Sequence, residues 1–297
     1  MSSGMPTVSV GIPVYNGERF IARAIDSILG QDFEDLELII SDNASTDGTR
    51  EICLDRAGKD PRVRYCRNEV NLGAARNFNK VFHLARGQYF KWAAHDDYID
   101  QRFLGRCVQV LDSDPSAVLC FTTMGVVDDS GRVFRVQRDN LAGLSSRSTI
   151  QRFHTMLWNL RDCTSPIFGL MRASALRQTG LIRNALEPDR ILLGEMALAG
   201  PMHQLGEMLF FHWGPPGHPK RDSWVWLAPE NAGRPRLATW RLLFYQAQAI
   251  GRTRLPVTVK TVLWLDLACA VGVRRSLSKL RLWRKALRRL SPLSSEA

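Results

Sequence analysis

No two of the six cysteines stand in a Cys-x-x-Cys pair: Cys53, Cys66, Cys107, Cys120, Cys163 and Cys269 are scattered singly. That spacing argues against a zinc ribbon and against a disulfide framework, and it fits a reducing compartment. Long apolar runs are also missing, and none reaches the length of a membrane-spanning helix. The opening Met-Ser-Ser-Gly-Met-Pro has neither a basic nor an apolar region. The expectation is therefore no signal peptide and a cytoplasmic protein. No internal repeat is found, which excludes solenoids and propellers.

Acidic residues are scarce at one end only. From Gly251 to Ala297 there are 11 Lys or Arg against Asp266 and Glu296, so this stretch carries +9 of the net charge of +11. A nearly neutral body with a cationic tail points to a surface anchor rather than to nucleic acid. The patterns of aromatic residues and glycine typical of RNA-binding folds are absent as well. Ser276 to Leu290 places Leu277, Leu280, Leu282, Trp283, Leu287 and Leu290 among Arg and Lys. This reads as a cationic amphipathic helix that lies on an anionic leaflet, or packs on the body or on a second copy. At 45% hydrophobic residues in 297, the chain has enough apolar surface for a core.

Strands and helices alternate through the first hundred residues. Val8–Val14, Leu36–Ile40, Val63–Cys66 and Tyr89–Trp92 read as strands; Glu18–Leu29, a helix from Thr49 and Ala74–Ala85 read as helices. Such alternation predicts a parallel sheet with its site on one edge. Beyond it, Phe103–Leu111 is predicted helical, Ala117–Thr122 a strand, Asp128–Gly131 a hairpin turn, and 137–147 a mobile loop. Thr149–Leu160 is predicted as a helix, Ile167–Met171 as a strand, Ala173–Gln178 as a short helix and Pro188–Leu198 as a helix. The stretch 210–219, dense in Gly, Pro and His, reads as a loop, and helices follow Pro229.

The rest is organised around Arg86-Gly-Gln-Tyr-Phe-Lys-Trp-Ala-Ala-His-Asp-Asp-Tyr-Ile-Asp100. A short apolar strand ends here in two adjacent carboxylates, Asp96 and Asp97. Such a strand delivers its last residues to the carboxyl edge of the sheet, where open α/β sheets bind ligands. Two neighbouring carboxylates repel unless one is protonated or a cation shares the site. Mg2+ or Mn2+ with a diphosphate resolves the repulsion, because hard cations take oxygen from carboxylates and phosphates. The plain alternative is a solvated acidic turn.

Four segments in order, Val10-Gly-Ile-Pro-Val-Tyr-Asn16, Ile40-Ser-Asp-Asn-Ala-Ser-Thr-Asp-Gly48, Asn71-Leu-Gly73 with Arg76-Asn77, and His95-Asp96-Asp97, resemble family 2 of the inverting glycosyltransferases. The likeness continues more loosely through Ile167-Phe-Gly-Leu-Met-Arg172 and 189–200, and fades after about Arg221. It implies an α/β GT-A fold, Rossmann-like, with a mostly parallel sheet flanked by helices. The expected division is a body over 1–228 (nucleotide-binding half about 7–100, acceptor half about 101–228) and a helical, basic C-terminal extension over 229–297. The implied function is metal-dependent transfer of a sugar from a nucleotide-sugar donor to a glycan or lipid-linked acceptor, in cell-envelope or polysaccharide biosynthesis.

Carried over residue by residue, the resemblance implies that Pro13, Tyr15, Asn16 and Glu18 line the base and ribose. Asp42 would accept a hydrogen bond from the base, and Arg76 would approach the diphosphate. Asp96 and Asp97 would stand for the family's Asp-x-Asp element, holding ribose and an Mn2+ or Mg2+ ion. Asp189 falls at the position of the general base; its alternative is a helix N-terminal carboxylate facing the dipole. The sequence departs from the pattern twice. Ala94 stands where many members have a further Asp. Phe211-His-Trp-Gly-Pro-Pro-Gly-His218 replaces an Arg-x-His segment, leaving His212 or His218 as a third ligand or as ordinary loop histidines. Trp213, Trp224 and Trp226 either stack on acceptor sugars or pack in a core. A non-catalytic nucleotide-sugar-binding scaffold is the competing function, and an oligomer on the C-terminal helices competes with the membrane.

Overall fold

The structure is a computed structural model and describes residues 4–137, 141–160, 164–185, 187–214, 235–270 and 272. Four strands form a parallel half-sheet: β1 (Val8–Val14), β2 (Leu36–Asp42), β3 (Val63–Arg67) and β4 (Tyr89–Trp92), in the order β3-β2-β1-β4. Every residue of β1, β2 and β4 is buried, which is why they read as continuous apolar runs rather than as alternations. Helices α1 (Ile21–Leu29), α2 (Thr49–Lys59) and α3 (Ala74–Leu84) connect them. The first buries Ile21, Ala24, Ile25 and Ile28, one stripe at helical spacing. Its start lies three residues later than the sequence suggests, because residues 18–20 form a turn.

The second half is mixed. After β5 (Tyr98–Ile99) and α4 (Phe103–Ser113) comes the long β6 (Leu119–Val127), joined to β7 (Val133–Gln137) by the predicted hairpin turn. Beyond α5 (Thr149–Trp158) lie α6 (Thr164–Ile167), β8 (Leu170–Arg172), α7 (Ala173–Leu176), α8 (Pro188–Ala199) and β9 (Met202–Trp213). The sheet continues β4-β8-β6-β9-β5, with β8 antiparallel to both neighbours and β6 parallel to β9. Strands β1, β2, β3, β4, β6 and β9 therefore all point one way, and the sheet is mostly parallel, as expected.

Three local expectations are corrected. The supposed loop at 210–219 is, through Trp213, the end of β9, paired along β6 from Leu119↔Met202 to Val127↔Trp213 with the register shifting on either side of Thr123. Pairing along a nine-residue neighbour outweighs the glycine and proline content that follows it, and residues 215–219 lie outside the described part. The predicted strand over Ile167–Met171 is a turn of helix followed by a three-residue strand. The presumed mobile segment contains a 3-10 turn, Ala142–Ser145, pinned by buried Leu141 and Leu144.

Apolar layers cover both faces of the sheet. Phe90 and Trp92 point to a layer with Phe82, Phe121, Phe153, Met156 and Leu192. Tyr89 points to the opposite layer with Ile12, Ile25, Leu38, Phe103 and Leu104. Lys91 shares that second direction and is fully buried; its Nζ donates to the Phe168 carbonyl and lies 4.7 Å from the Phe103 ring centroid. Burial pulls its pKa down to about 7.

Two C-terminal helices complete the described part. Helix α9 (Pro235–Arg252) packs on α8, and a helix over 257–270 follows it. Ala249, Ile250, Leu263, Leu267 and Ala270 enter the same apolar layer as α5 and α8. The expected amphipathic helix at Ser276–Leu290 lies outside the described residues. Among those residues, no helix is long and apolar enough to cross a membrane.

Candidate active site

Because β1, β2, β4, β6 and β9 share a direction, their carboxyl ends share an edge, and the segments singled out from sequence gather there. Asn16 follows β1 in the left-handed region, φ 53°, and Ala44 follows β2 at φ 63°. These two turns are stitched together. The Asn16 amide donates to Ser45 Oγ (3.0 Å), Thr46 N donates to Asn16 Oδ1 (2.8 Å), and Gly48 N donates to Glu18 Oε2 (2.9 Å). A Cβ at Gly17 would stand 2.6 Å from Val14 Cγ2 and 2.9 Å from His95 Cδ2, so only glycine lets the His-Asp-Asp turn close over this loop. Pro13 is buried inside β1 and Tyr15 is half-buried at its exit. Asn16 and Glu18 thus build the loop as well as fronting it.

Asp42 closes β2 at this same edge. Its carboxylate is fully buried and accepts from Ser45 N (2.8 Å), Tyr65 Oη (2.7 Å) and Arg67 Nη1 (2.7 Å). Burial alone would raise its pKa, but these donors together hold it below the usual carboxylate range. Arg76 stands exposed in the first turn of α3, with no hydrogen bond or ion pair among the described residues. Beside it, buried Asn77 donates to the Ser41 carbonyl (2.9 Å) and accepts from Ser41 Oγ and Asn68.

The acid pair is where the electrostatics concentrate. Asp97 is buried, and its Oδ1 accepts from Trp213 N (3.0 Å) and lies 2.9 Å from His212 Nδ1. Its Oδ2 is buried and without a hydrogen-bond partner. Burial, and then the charge of Asp97, push the Asp96 carboxyl above its ordinary pKa. The structure therefore brings His212 to the acids across 115 positions of sequence, from the end of β9. His218, Trp224 and Trp226 lie outside the described residues. An orphaned carboxylate oxygen in a buried site costs on the order of 1–3 kcal/mol unless something fills its direction. A hard divalent cation is that kind of partner, and Asp96, Asp97 and the nearby imidazole are suitable donors. Among the described residues, no three His, Cys, Asp or Glu side chains form a ready cage.

Sequence reasoning singled out Trp213 but missed Arg23, Arg19 and Phe20, which brace this turn with it. Arg23 on α1 donates to the Asp96 carbonyl (3.3 Å) and lies 4.6 Å over the Tyr98 ring. Trp213 donates from Nε1 to Asp129 (2.9 Å) and packs 4.7 Å from Phe20, so it is a brace at the rim. Asp129, in the hairpin turn, also pairs with Arg19 (2.7 Å). Only long-range folding reveals these partners; the motif positions alone give no signal for them.

Asp189 lies in the first turn of α8, after Glu187, the helix cap, at φ 52° and Pro188 at the first helical position. Burial, and next the Glu187 charge, raise its pKa, while the Arg190 amide, 2.9 Å away, opposes the rise. The segment before α8 is clipped to α3, since Ile182 N donates to Asn79 Oδ1 (3.0 Å) and Asn79 Nδ2 donates to Ile182 O (2.9 Å). Asp189 and the Asp96–Asp97 pair share no hydrogen bond.

The sequence profile of Glycosyl transferase family 2 matches residues 9–178, more than half of the chain. The chain belongs to that family. The chondroitin synthase of Escherichia coli is 29% identical over 165 residues, covering 53% of this chain and 24% of that protein. The chain thus spans about a quarter of the length of that relative. The fold resembles S. aureus TarS 1–349 in complex with UDP-GlcNAc, with a TM-score of 0.63 at 19% identity over 89% of this chain and 72% of that one. It also resembles the mannosyltransferase PcManGT from Pyrobaculum calidifontis in complex with GDP-Man and Mn2+, with a TM-score of 0.55 at 18% identity over 97% and 82%. The GT-A architecture expected from the sequence is the one observed.

Proposed function

We propose that this chain is an inverting, metal-dependent glycosyltransferase, moving a sugar from a nucleotide-sugar donor to a glycan or lipid-linked acceptor in the assembly of an envelope polysaccharide. One observation carries the reading. Asp97 has a buried, partnerless oxygen beside an acid whose pKa is raised, at the carboxyl edge of the sheet. The family membership and the donor complexes of TarS and PcManGT support it. Asp96 and Asp97, with His212 adjoining, are the residues to hold Mn2+ or Mg2+. A divalent ion there would offset the charge that develops on the departing diphosphate.

The chain's own groups do the rest. Pro13, Tyr15, Asn16 and Glu18 bound the nucleoside side of the edge, and Arg76 is free to meet a phosphate. Asp189 takes the proton of the attacking acceptor hydroxyl, and its raised pKa makes it a stronger base than an ordinary carboxylate. In this reading residues 1–228 form the catalytic body and 229–297 an extension. The first helices of that extension are built onto α8, and its basic tail holds the enzyme to the cytoplasmic face of a membrane.

The test is nucleoside diphosphate release from UDP-, GDP- and dTDP-sugars with Mn2+, after a thermal-shift screen selects the donor that raises the melting temperature. Release that stops with EDTA and in Asp189→Asn supports the proposal. Tight donor binding with no turnover over any acceptor would make the chain a nucleotide-sugar-binding scaffold instead.

A further inference from the structure

Helix α9 and the helix over 257–270 form an antiparallel hairpin: Lys260 Nζ donates to the Gly251 carbonyl (3.0 Å) and Trp264 Nε1 to the Ala247 carbonyl (3.3 Å). Its inner side is packed. Leu242, Gln246 and Ile250 face α8, and Leu263, Leu267 and Ala270 enter the apolar layer. Its outer side is apolar too. Val257 is 76% exposed, Leu265 61%, Phe244 60%, Val262 44% and Trp264 41%. Phe244 is one turn from Ala247, where Trp264 docks, so the two helices present these residues as one surface. A contiguous exposed apolar surface of this kind marks an interaction site.

Charge selects the occupant. Asp266 is the sole acidic residue between positions 235 and 295. It is turned inward, accepting from Trp158 Nε1 (2.7 Å) with His154 Nδ1 at 3.1 Å. The outer face is thereby left without a carboxylate. At the hairpin bend, Arg252 and Arg254 are exposed and form no ion pair among the described residues. Eight more Lys or Arg follow between 274 and 289. A second copy docking through this face would bring like charges together, which opposes association. An anionic leaflet instead accepts both the apolar residues and the cations.

We infer that the outer face of this hairpin is a docking surface for an anionic lipid leaflet, built onto the helix that bears Asp189. This deepens the proposed reading of a membrane-held transferase, but it assigns the contact to a face of the folded body rather than to the tail alone.

The test is co-sedimentation of the full chain with phosphatidylcholine vesicles, with and without phosphatidylglycerol, alongside sugar transfer to a soluble acceptor. The inference predicts pelleting only with the anionic vesicles. It predicts at least a tenfold weaker partition for Val257→Glu/Leu265→Glu, and roughly fivefold per charge removed in Arg252→Gln/Arg254→Gln. Both variants change exposed positions, and an unaltered melting temperature confirms their fold. Wild-type partition in Val257→Glu/Leu265→Glu, with binding abolished by removing 273–297, would overturn the inference in favour of the tail. A change from dimer to monomer in those variants, without any effect on lipid binding, would overturn it in favour of a second copy. Transfer that persists without lipid binding sinks this inference but leaves the enzyme. Lipid binding without transfer does the reverse.

Discussion

Replacing Asp97 by Asn should abolish stabilisation by Mn2+ while leaving the metal-free protein close to its original stability. Oδ1 of Asp97 faces two groups, the Trp213 amide and His212, and the amide N–H can only donate. The carbonyl oxygen of the substituted side chain would therefore keep that side, and its NH2 would take the place of Oδ2. Two N–H donors would then point where a cation needs an acceptor. Leaving that NH2 buried and unpaired costs about 1–3 kcal/mol, and losing the repulsion with Asp96 offsets part of this. For the wild type, Mn2+ at a hundred times its dissociation constant adds about 2.7 kcal/mol. That corresponds to a rise of roughly 5–10 °C in melting temperature for a domain of this size. The assay is a thermal shift with and without Mn2+, with Asp114→Asn as control. Asp114 is held by Ser116 and His203 and lies near the opposite ends of the strands, so its variant should retain the full shift. A full Mn2+ shift in Asp97→Asn would refute the cation site.

Asp189→Asn should abolish turnover yet raise the melting temperature at neutral pH. A carboxyl with a raised folded pKa contributes stability that is present at low pH and is lost as pH rises through that pKa, so the variant's advantage should vanish below about pH 4. Equal stability of the two proteins at every pH would remove the argument for a tuned base. Lys91→Met should flatten a second pH dependence. The lysine's stability contribution is full above about pH 10.4 and is lost progressively as pH falls to about 7, so wild type should soften between about pH 10 and 7 while the variant does not. Urea titrations across that range measure it, and parallel curves would contradict it. Gly194→Ala should destabilise by about 1–3 kcal/mol despite alanine's helix preference of about 1 kcal/mol. The new Cβ would stand 2.2 Å from the amide of Gln246, which is fully buried and donates to the Arg190 carbonyl (2.8 Å). A raised melting temperature would show that α9 yields freely.

The parallel half-sheet was legible because β1, β2 and β4 are buried on both faces, so their apolar runs carry the signal without interference. Acids placed just after such a strand had to reach the sheet edge, which is why Asp96, Asp97 and the Asn16 and Ser45 turns could be located from sequence. What stayed hidden depends on pairing over long distances. The glycine- and proline-rich stretch after Phe210 looks like a loop until β6 is laid beside it, and only then does His212 arrive at Asp97. Nothing local reveals that Asp42 also accepts from Tyr65 and Arg67, both on β3. Leu141 and Leu144 anchor a segment whose polar neighbours made it look free.

The account rests on what fills the direction of Asp97 Oδ2. An anomalous difference map from a crystal grown with Mn2+ and the donor selected by thermal shift measures this directly. A peak within coordination distance of Asp97 Oδ2, bridged to the diphosphate, is the predicted result. Nucleotide bound elsewhere, with that oxygen still without a partner, would contradict it.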